Sequence, residues 1–296
     1  MTTTTAKGGK LVKAAAAEPA TTGTELAPVE QGSTALAAAP EGNDLFADYA
    51  GAGFENVKQS DILVPRITIL QDMSPQIKEE KPEFIEGAKR GMICDVGIGQ
   101  LLGEAIMFVP VHYVKVWLEW YPRKSGQGLA AIHSNPAILD ECSLNEKRQP
   151  FLPNGNYIAE TAQWFGLDVT DGGCRQVFIP FGSTQLKKSK LLLTLAQGER
   201  ITVFKGKPNE REIMPPLFYR SYIMGTVGES NSEGDWFGWK IDRGLPIEQL
   251  PHFRRIGEAA VMMRTQIDDG AIRADMSAEE AMDASSASHY GDGGKM

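Results

Sequence analysis

The chain has 296 residues, an apolar share of 42% and a formal net charge of −8. That apolar share supports a sizeable core, which excludes a wholly disordered protein, and no run reaches the ~18–20 uninterrupted apolar residues of a membrane span. The opening Met1-Thr-Thr-Thr-Thr-Ala-Lys7 lacks the apolar stretch of a secretory signal, so the expected compartment is the cytoplasm.

Residues 1–48 are rich in Ala, Thr, Gly, Glu and Pro without hydrophobic period and read as a disordered tail. Residues 49–267 read as one β-rich binding domain, and 268–296 as a disordered acidic tail. Residues 1–50 carry three Lys against six Asp/Glu, net −3, and residues 266–296 carry two basic against seven acidic residues, net −5. Residues 51–265 are therefore neutral, so the acidity belongs to the ends and does not exclude an anionic ligand for the core. Cys94, Cys142 and Cys174 are an odd number without a C-x-x-C pair. They fit a reducing compartment and read as small buried apolar residues.

In chain order, Ile62–Leu70 is β-branched and broken by Pro65, which predicts an edge or bent strand. Gly97–Gly103 has one residue too many for a dinucleotide fingerprint and predicts a turn between strands. Ala105–Tyr121 predicts one long strand. Asn154-Gly155 predicts a turn that launches a strand over Tyr157–Val169, followed by a short strand at Gln176–Phe181. Ser183 or Thr184 predicts the N-cap of a helix running to Gln197 and stopped by Gly198. Leu217–Val227 and Asp235–Ile241 predict a hairpin around the loop Gly228–Gly234, and Pro251–Ile267 has the 3.6 period of an amphipathic helix. The expected fold class is β-rich α+β: an OB-like barrel or a twisted antiparallel sheet, with one or two packed helices and disordered termini.

No P-loop, G-x-S-x-G, H-E-x-x-H or paired D-x-D motif stands in the core, and His112, His133, His252 and His289 lie far apart. No catalysis, cofactor or metal is expected. Aromatics mixed with cations carry more information. If Tyr113–Lys124 is a regular strand, Tyr113, Lys115, Trp117, Glu119 and Tyr121 share a face. Too many large rings stand there for a wholly buried face, and exposed rings beside cations are what base stacking needs. The competing reading makes Trp117 and Trp120 core residues. Ser183–Lys190 places Lys187, Lys188 and Lys190 in the first turns of the helix. Cations there oppose the macrodipole unless a phosphate sits between them and the free N–H groups. The span 175–207 carries seven basic residues and one acid, Glu199. Phe218–Tyr222 and Trp236–Trp239 are expected to form cross-strand aromatic pairs, with Arg220 and Lys240 supplying charge.

The strings Ser74-Pro-Gln, Glu86–Met92, Trp117-Leu-Glu-Trp-Tyr-Pro-Arg123, Leu152-Pro-Asn-Gly-Asn-Tyr157, Ser183–Ser189 and Trp236-Phe-Gly-Trp239 resemble proteins of tailed bacteriophages, over roughly residues 50–245. The likeness is to phage single-stranded DNA-binding proteins. Their podophage replication type implies an OB-like barrel and an acidic C-terminal tail. This chain ends Gly294-Lys-Met, without the terminal aromatic of that type.

The leading expectation is a non-catalytic single-stranded DNA-binding protein of phage replication or recombination. Lys115, Arg123, Lys124, Lys187, Lys188, Lys190 and Arg220 are expected on phosphates, with Trp117, Trp120, Tyr121 and Tyr219 stacking on bases. Expected partners are single-stranded DNA and replication or recombination proteins met through the acidic tail. A homo-oligomer is compatible with the sequence, and a membrane is not expected. The alternative is a virion structural or assembly protein. A nuclease or lytic enzyme stands third, for want of an acid/base, metal or nucleophile constellation.

Overall fold

A computed structural model describes residues 52–53, 55–56, 64–146, 148–232, 234–272 and 274, with the side chain of Arg123 left aside. The chain divides into two units, Met1–Glu55 and Asn56–Met296, and every element below belongs to the second. The N-terminal tail and the chain beyond residue 274 lie outside the described residues.

Three strands, β1 (Ile67–Ile69), β2 (Ile93–Asp95) and β3 (Gln100–Gly103), form a small antiparallel sheet. The main sheet is built on β4 (Ala105–Trp120), a run of β-branched and aromatic residues suited to a pleated surface. One edge of β4 pairs with β8 (Tyr157–Asp168) along most of its length. The other edge is shared: Ala105–Phe108 pairs with β12 (Arg220–Asn231), and Trp117–Trp120 with β5 (Leu129–His133). Beyond β8 lie β9 (Arg175–Gly182) and the two-residue β7 (Pro150–Phe151) and β6 (Ser143–Leu144). Beyond β12 lies β13 (Gly234–Pro246). The result is a curled antiparallel half-barrel, the sheet alternative of the two expected architectures, and β13 and β6 end its main path without closing it.

A bulge in β4 decides which side chains face which way. Pro110 pairs with Gly166 and His112 with Phe165, so Val111 is an extra residue. Proline has no N–H to give the ladder, and an extra residue shifts the alternation by one. Before the bulge Met107 and Val109 face one cluster; after it Val114, Val116, Leu118 and Trp120 do. That cluster is covered by α2 (Phe253–Asp268), which buries Ile256, Ala260 and Met263. The opposite face gathers Phe108, Trp164, Ile179, Phe181, Tyr222 and Trp239 under α1 (Leu186–Gln197) and the small sheet. Fully burying each such side chain stabilises the fold by about 1.5–3 kcal/mol. The Trp164 indole N–H donates to Ser189 Oγ at 2.8 Å, which pins α1 to β8.

Polar ties complete the joints. Arg175 bridges the fully buried Asp95 of β2 at 2.9 Å and Asp168 of β8 at 3.1 Å. Burial pushes the Asp95 carboxyl up, and the guanidinium opposes that shift. The outer edge of β13 is stoppered by glutamines, which blunts a template for further strands. Gln71 pairs with both backbone groups of Phe237 at 2.8 and 3.0 Å, and Gln185 Oε1 accepts from Trp239 N–H at 2.9 Å.

Several expectations need correction. Neither Ser183 nor Thr184 caps α1: Ser183 has φ 46° and opens a 3-10 turn over Ser183–Gln185. The β12–β13 pairing runs out to Asn231 opposite Gly234, so most of the expected loop is strand. Its register sets Tyr222 opposite Arg243, Trp236 opposite Glu229 and Trp239 opposite Thr226, so the cross-strand aromatic pairs do not form. Cys94 is buried, whereas Cys142 and Cys174 are half-buried. Packed chain also continues past Asp268, since Ile272 is 4% exposed in the α2-side core.

Candidate nucleic-acid interface

The aromatic face of β4 is not an open platform. Tyr113, Lys115, Trp117 and Glu119 do share a face, but each has a partner there. Tyr113 packs at 4.9 Å from Trp164. Lys115 is bonded to Glu160 at 2.7 Å, and that bond pushes the ammonium pKa up. Trp117, 8% exposed, packs with Leu152 and Ile158. Trp120 is 3% exposed on the other face, stacked on Tyr157. Both indoles are thus corrected to core residues: each of the two faces of β4 is covered where its tryptophan stands, Trp117 by Leu152 and Ile158 and Trp120 by the α2-side cluster.

Glu119 forms the hub of the corner beyond Trp117. It accepts from Asn156 Nδ2 at 2.6 Å and meets His133 Nε2 at 2.8 Å. Burial alone would push its carboxyl up; the bonds from Asn156, His133 and Asn154 outweigh it and hold the group below its ordinary range. These bonds tie β5 and the turn before β8 to β4, a structural task. Among the described residues no group of three or more His, Cys, Asp or Glu side chains is placed to hold a metal ion.

Of the other expected contacts, Tyr121 (38% exposed) and Lys124 lie at the far end of β4. The side chain of Arg123 lies outside the described residues. Tyr219 is half-buried under Arg220, whose guanidinium is bonded to Glu199 at 2.8 and 3.2 Å and to the Gly244 carbonyl at 2.8 Å. Lys115 and Arg220 are thus committed to carboxylates.

The helix α1 differs. Leu192 and Ser189 point into the core, which turns Lys187, Lys190, Leu191, Thr194 and Gln197 outward as one exposed stripe about 15 Å long. No acidic residue lies between Ser183 and Gly198. The first acid beyond, Glu199, is taken up by Arg220 and by Arg243 at 3.7 Å. Among the described residues Lys187 and Lys190 have no ion-pair partner. Lys188 does: its ammonium meets Glu229 at 2.8 Å, and Trp236 Nε1 donates to the same carboxylate at 2.9 Å. Burial would push the Glu229 carboxyl up, but the bonds from Lys188 and Trp236 hold it low. Glu229 thus occupies Lys188 as a phosphate would. Replacing Glu229 by Gln is expected to release that lysine and steepen the salt dependence of oligo-dT affinity by about 0.7 in log–log slope. An unchanged slope in a titration series would show that Lys188 takes no phosphate.

The stripe leads through the exposed Arg200 into a ribbon that sequence reading missed, β10 (Ile201–Val203) and β11 (Arg211–Ile213), which pair with each other and with no strand of either sheet. Three-residue strands give too short a period to recognise. Their connecting loop begins at Phe204, which is 48% exposed at φ 57°. That left-handed conformation costs a residue with a side chain roughly 1–2 kcal/mol.

A family model described as Pam3 phage gp34-like protein matches residues 33–267. The chain belongs to that family. The expected bacteriophage relationship therefore stands, at the level of a phage protein family. No curated protein and no solved structure matches the chain. Within this gp34-like chain the matched span takes in all of α1, the β10–β11 ribbon and all but the last residue of α2. No helix among the described residues is long and apolar enough to cross a membrane.

Proposed function

We propose that this gp34-like chain binds single-stranded DNA without turnover chemistry, in phage replication or recombination, and that α1 is its phosphate-contacting surface. The observation that carries the reading is the acid-free stripe Lys187–Lys190–Leu191–Thr194–Gln197, continued by Arg200, on a chain with 38 acidic against 30 basic residues. An ordinary solvated helix face mixes both signs of charge. Cations in the first turns of a helix oppose its dipole, and an anion held by the ammonium groups offsets that conflict. Tyr121 and Lys124 lie off this line. Trp120 pairs with Tyr157, four residues along β8 from Thr161, the partner of Gly182 just before α1, or about 13 Å away at ~3.3 Å per residue.

The test is fluorescence anisotropy of a labelled dT oligonucleotide titrated with the full chain at 50 and 200 mM salt. Intrinsic tryptophan emission is the wrong probe, because the Trp117 and Trp120 indoles are buried. Five cations on the surface, Lys187, Lys190, Arg200, Lys205 and Lys207, set an expected log–log slope near −3.5. A flat titration at both salts would remove this reading and leave the assembly alternative.

A further inference from the structure

We infer that Phe204 is a stacking site for an unpaired nucleobase, with Lys205 and Lys207 on the flanking phosphates. The inference rests on the DNA-binding reading of α1 and adds a base contact to a surface that otherwise touches only phosphates.

A phenyl ring half in water contributes little to the core, and none of the three hydrophobic clusters includes Phe204. Its backbone holds a left-handed conformation that glycine would adopt without strain. A residue that is both strained and exposed needs a reason other than folding. The loop around it is organised rather than loose. The Phe204 carbonyl accepts from Lys207 N–H at 2.9 Å, and Glu210 accepts from Gly206 N–H at 2.6 Å. That bond draws the loop's one carboxylate onto the backbone, while Lys205 and Lys207 stay exposed with no ion-pair partner among the described residues. One ring beside two cations is the minimal unit of sequence-tolerant strand binding: the ring takes a base face and the ammonium groups take phosphates. Phe204 follows Gln197, the last residue of α1, by seven positions, so chain connectivity keeps the ring within about 25 Å of the end of the basic stripe, a span that a few nucleotides of an extended strand can bridge. The cations favour a polynucleotide over a protein surface as the occupant.

Three variants of the full chain test this: Phe204→Ala, Phe204→Gly and Phe204→Trp. Each is titrated with oligo-dT and with an abasic oligonucleotide of equal length, which offers phosphates without bases. The Trp variant gains an exposed indole on a background of native tryptophans that are buried or, for Trp236, half-buried. Oligo-dT is expected to quench that added emission, and the abasic strand to leave it unchanged. The Ala and Gly variants should bind oligo-dT roughly five- to hundredfold more weakly and bind the abasic strand as before. Phe204→Gly should melt no lower than wild type, which a packing role would not allow.

If Phe204→Trp binds oligo-dT with unchanged emission, or Phe204→Ala binds it as tightly as wild type, the stacking site is overturned and the α1 reading stands. Loss of a protein partner by Phe204→Ala, with DNA affinity intact, also overturns it. If wild type binds neither strand at 50 mM salt, both readings fall together.

Discussion

Replacing Lys187 and Lys190 by Ala should weaken oligo-dT binding roughly 25-fold at 0.1 M salt and reduce the log–log salt slope by about 1.4. The magnitude follows from counterion release, with each single-strand phosphate contact contributing ~0.7 to the slope and hence about fivefold at that salt. Both side chains are exposed and unpaired among the described residues, and alanine is the best helix former, so α1 should keep its structure. Circular dichroism and the melting temperature provide the control. Lys188→Ala should cost less, because its ammonium starts on Glu229 at 2.8 Å and must leave that carboxylate before it can meet a phosphate. Equal losses at all three positions would point to diffuse charge attraction. An unaltered slope in the double variant would remove α1 from the interface.

The second large effect concerns the fold. Gly166→Ala is expected to destabilise the domain by about 3 kcal/mol, the upper end for overpacking, read as a fall in the urea midpoint at unchanged slope. A methyl at Gly166 would overlap the Val109 carbonyl oxygen and stand 2.5 Å from the Phe108 ring. A carbonyl in a strand cannot rotate aside. Relief would require moving β4 at its bulge, where Pro110 faces Gly166, and the bulge sets which residues face α1 and which face α2. Gly182→Ala makes a matched control in the neighbouring strand: its added methyl meets nothing closer than 3.8 Å and should be nearly silent.

The long β-branched and aromatic runs announced β4 and β8, Asn154-Gly155 announced the turn between β7 and β8, the Gly198 stop announced the end of α1, and the 3.6 period announced α2. The short strands β2, β5, β6 and β7 gave no comparable signal, because alternation needs several residues to show, and β1 was signalled only as part of the longer run Ile62–Leu70. The same limit hid the β10–β11 ribbon and with it Phe204. The basic cluster around Lys187 was visible in the sequence as charge density, yet its division into two free lysines and one held by Glu229 was not, since residues 188 and 229 meet only through packing of α1 against β12 and β13.

By itself the sequence determined the β-rich class, the two helices, the neutral core between acidic ends, and the acid-free segment that became α1. The tertiary structure alone decided that each face of β4 is covered where its tryptophan stands, which turned Trp117 and Trp120 from stacking candidates into core, and that Lys115 and Arg220 are spent on carboxylates. The physical reason is that composition and period fix what a segment is able to form, whereas exposure depends on which distant element lies over it. A strand of alternating aromatics looks the same in one dimension whether water or a helix waits on its far side.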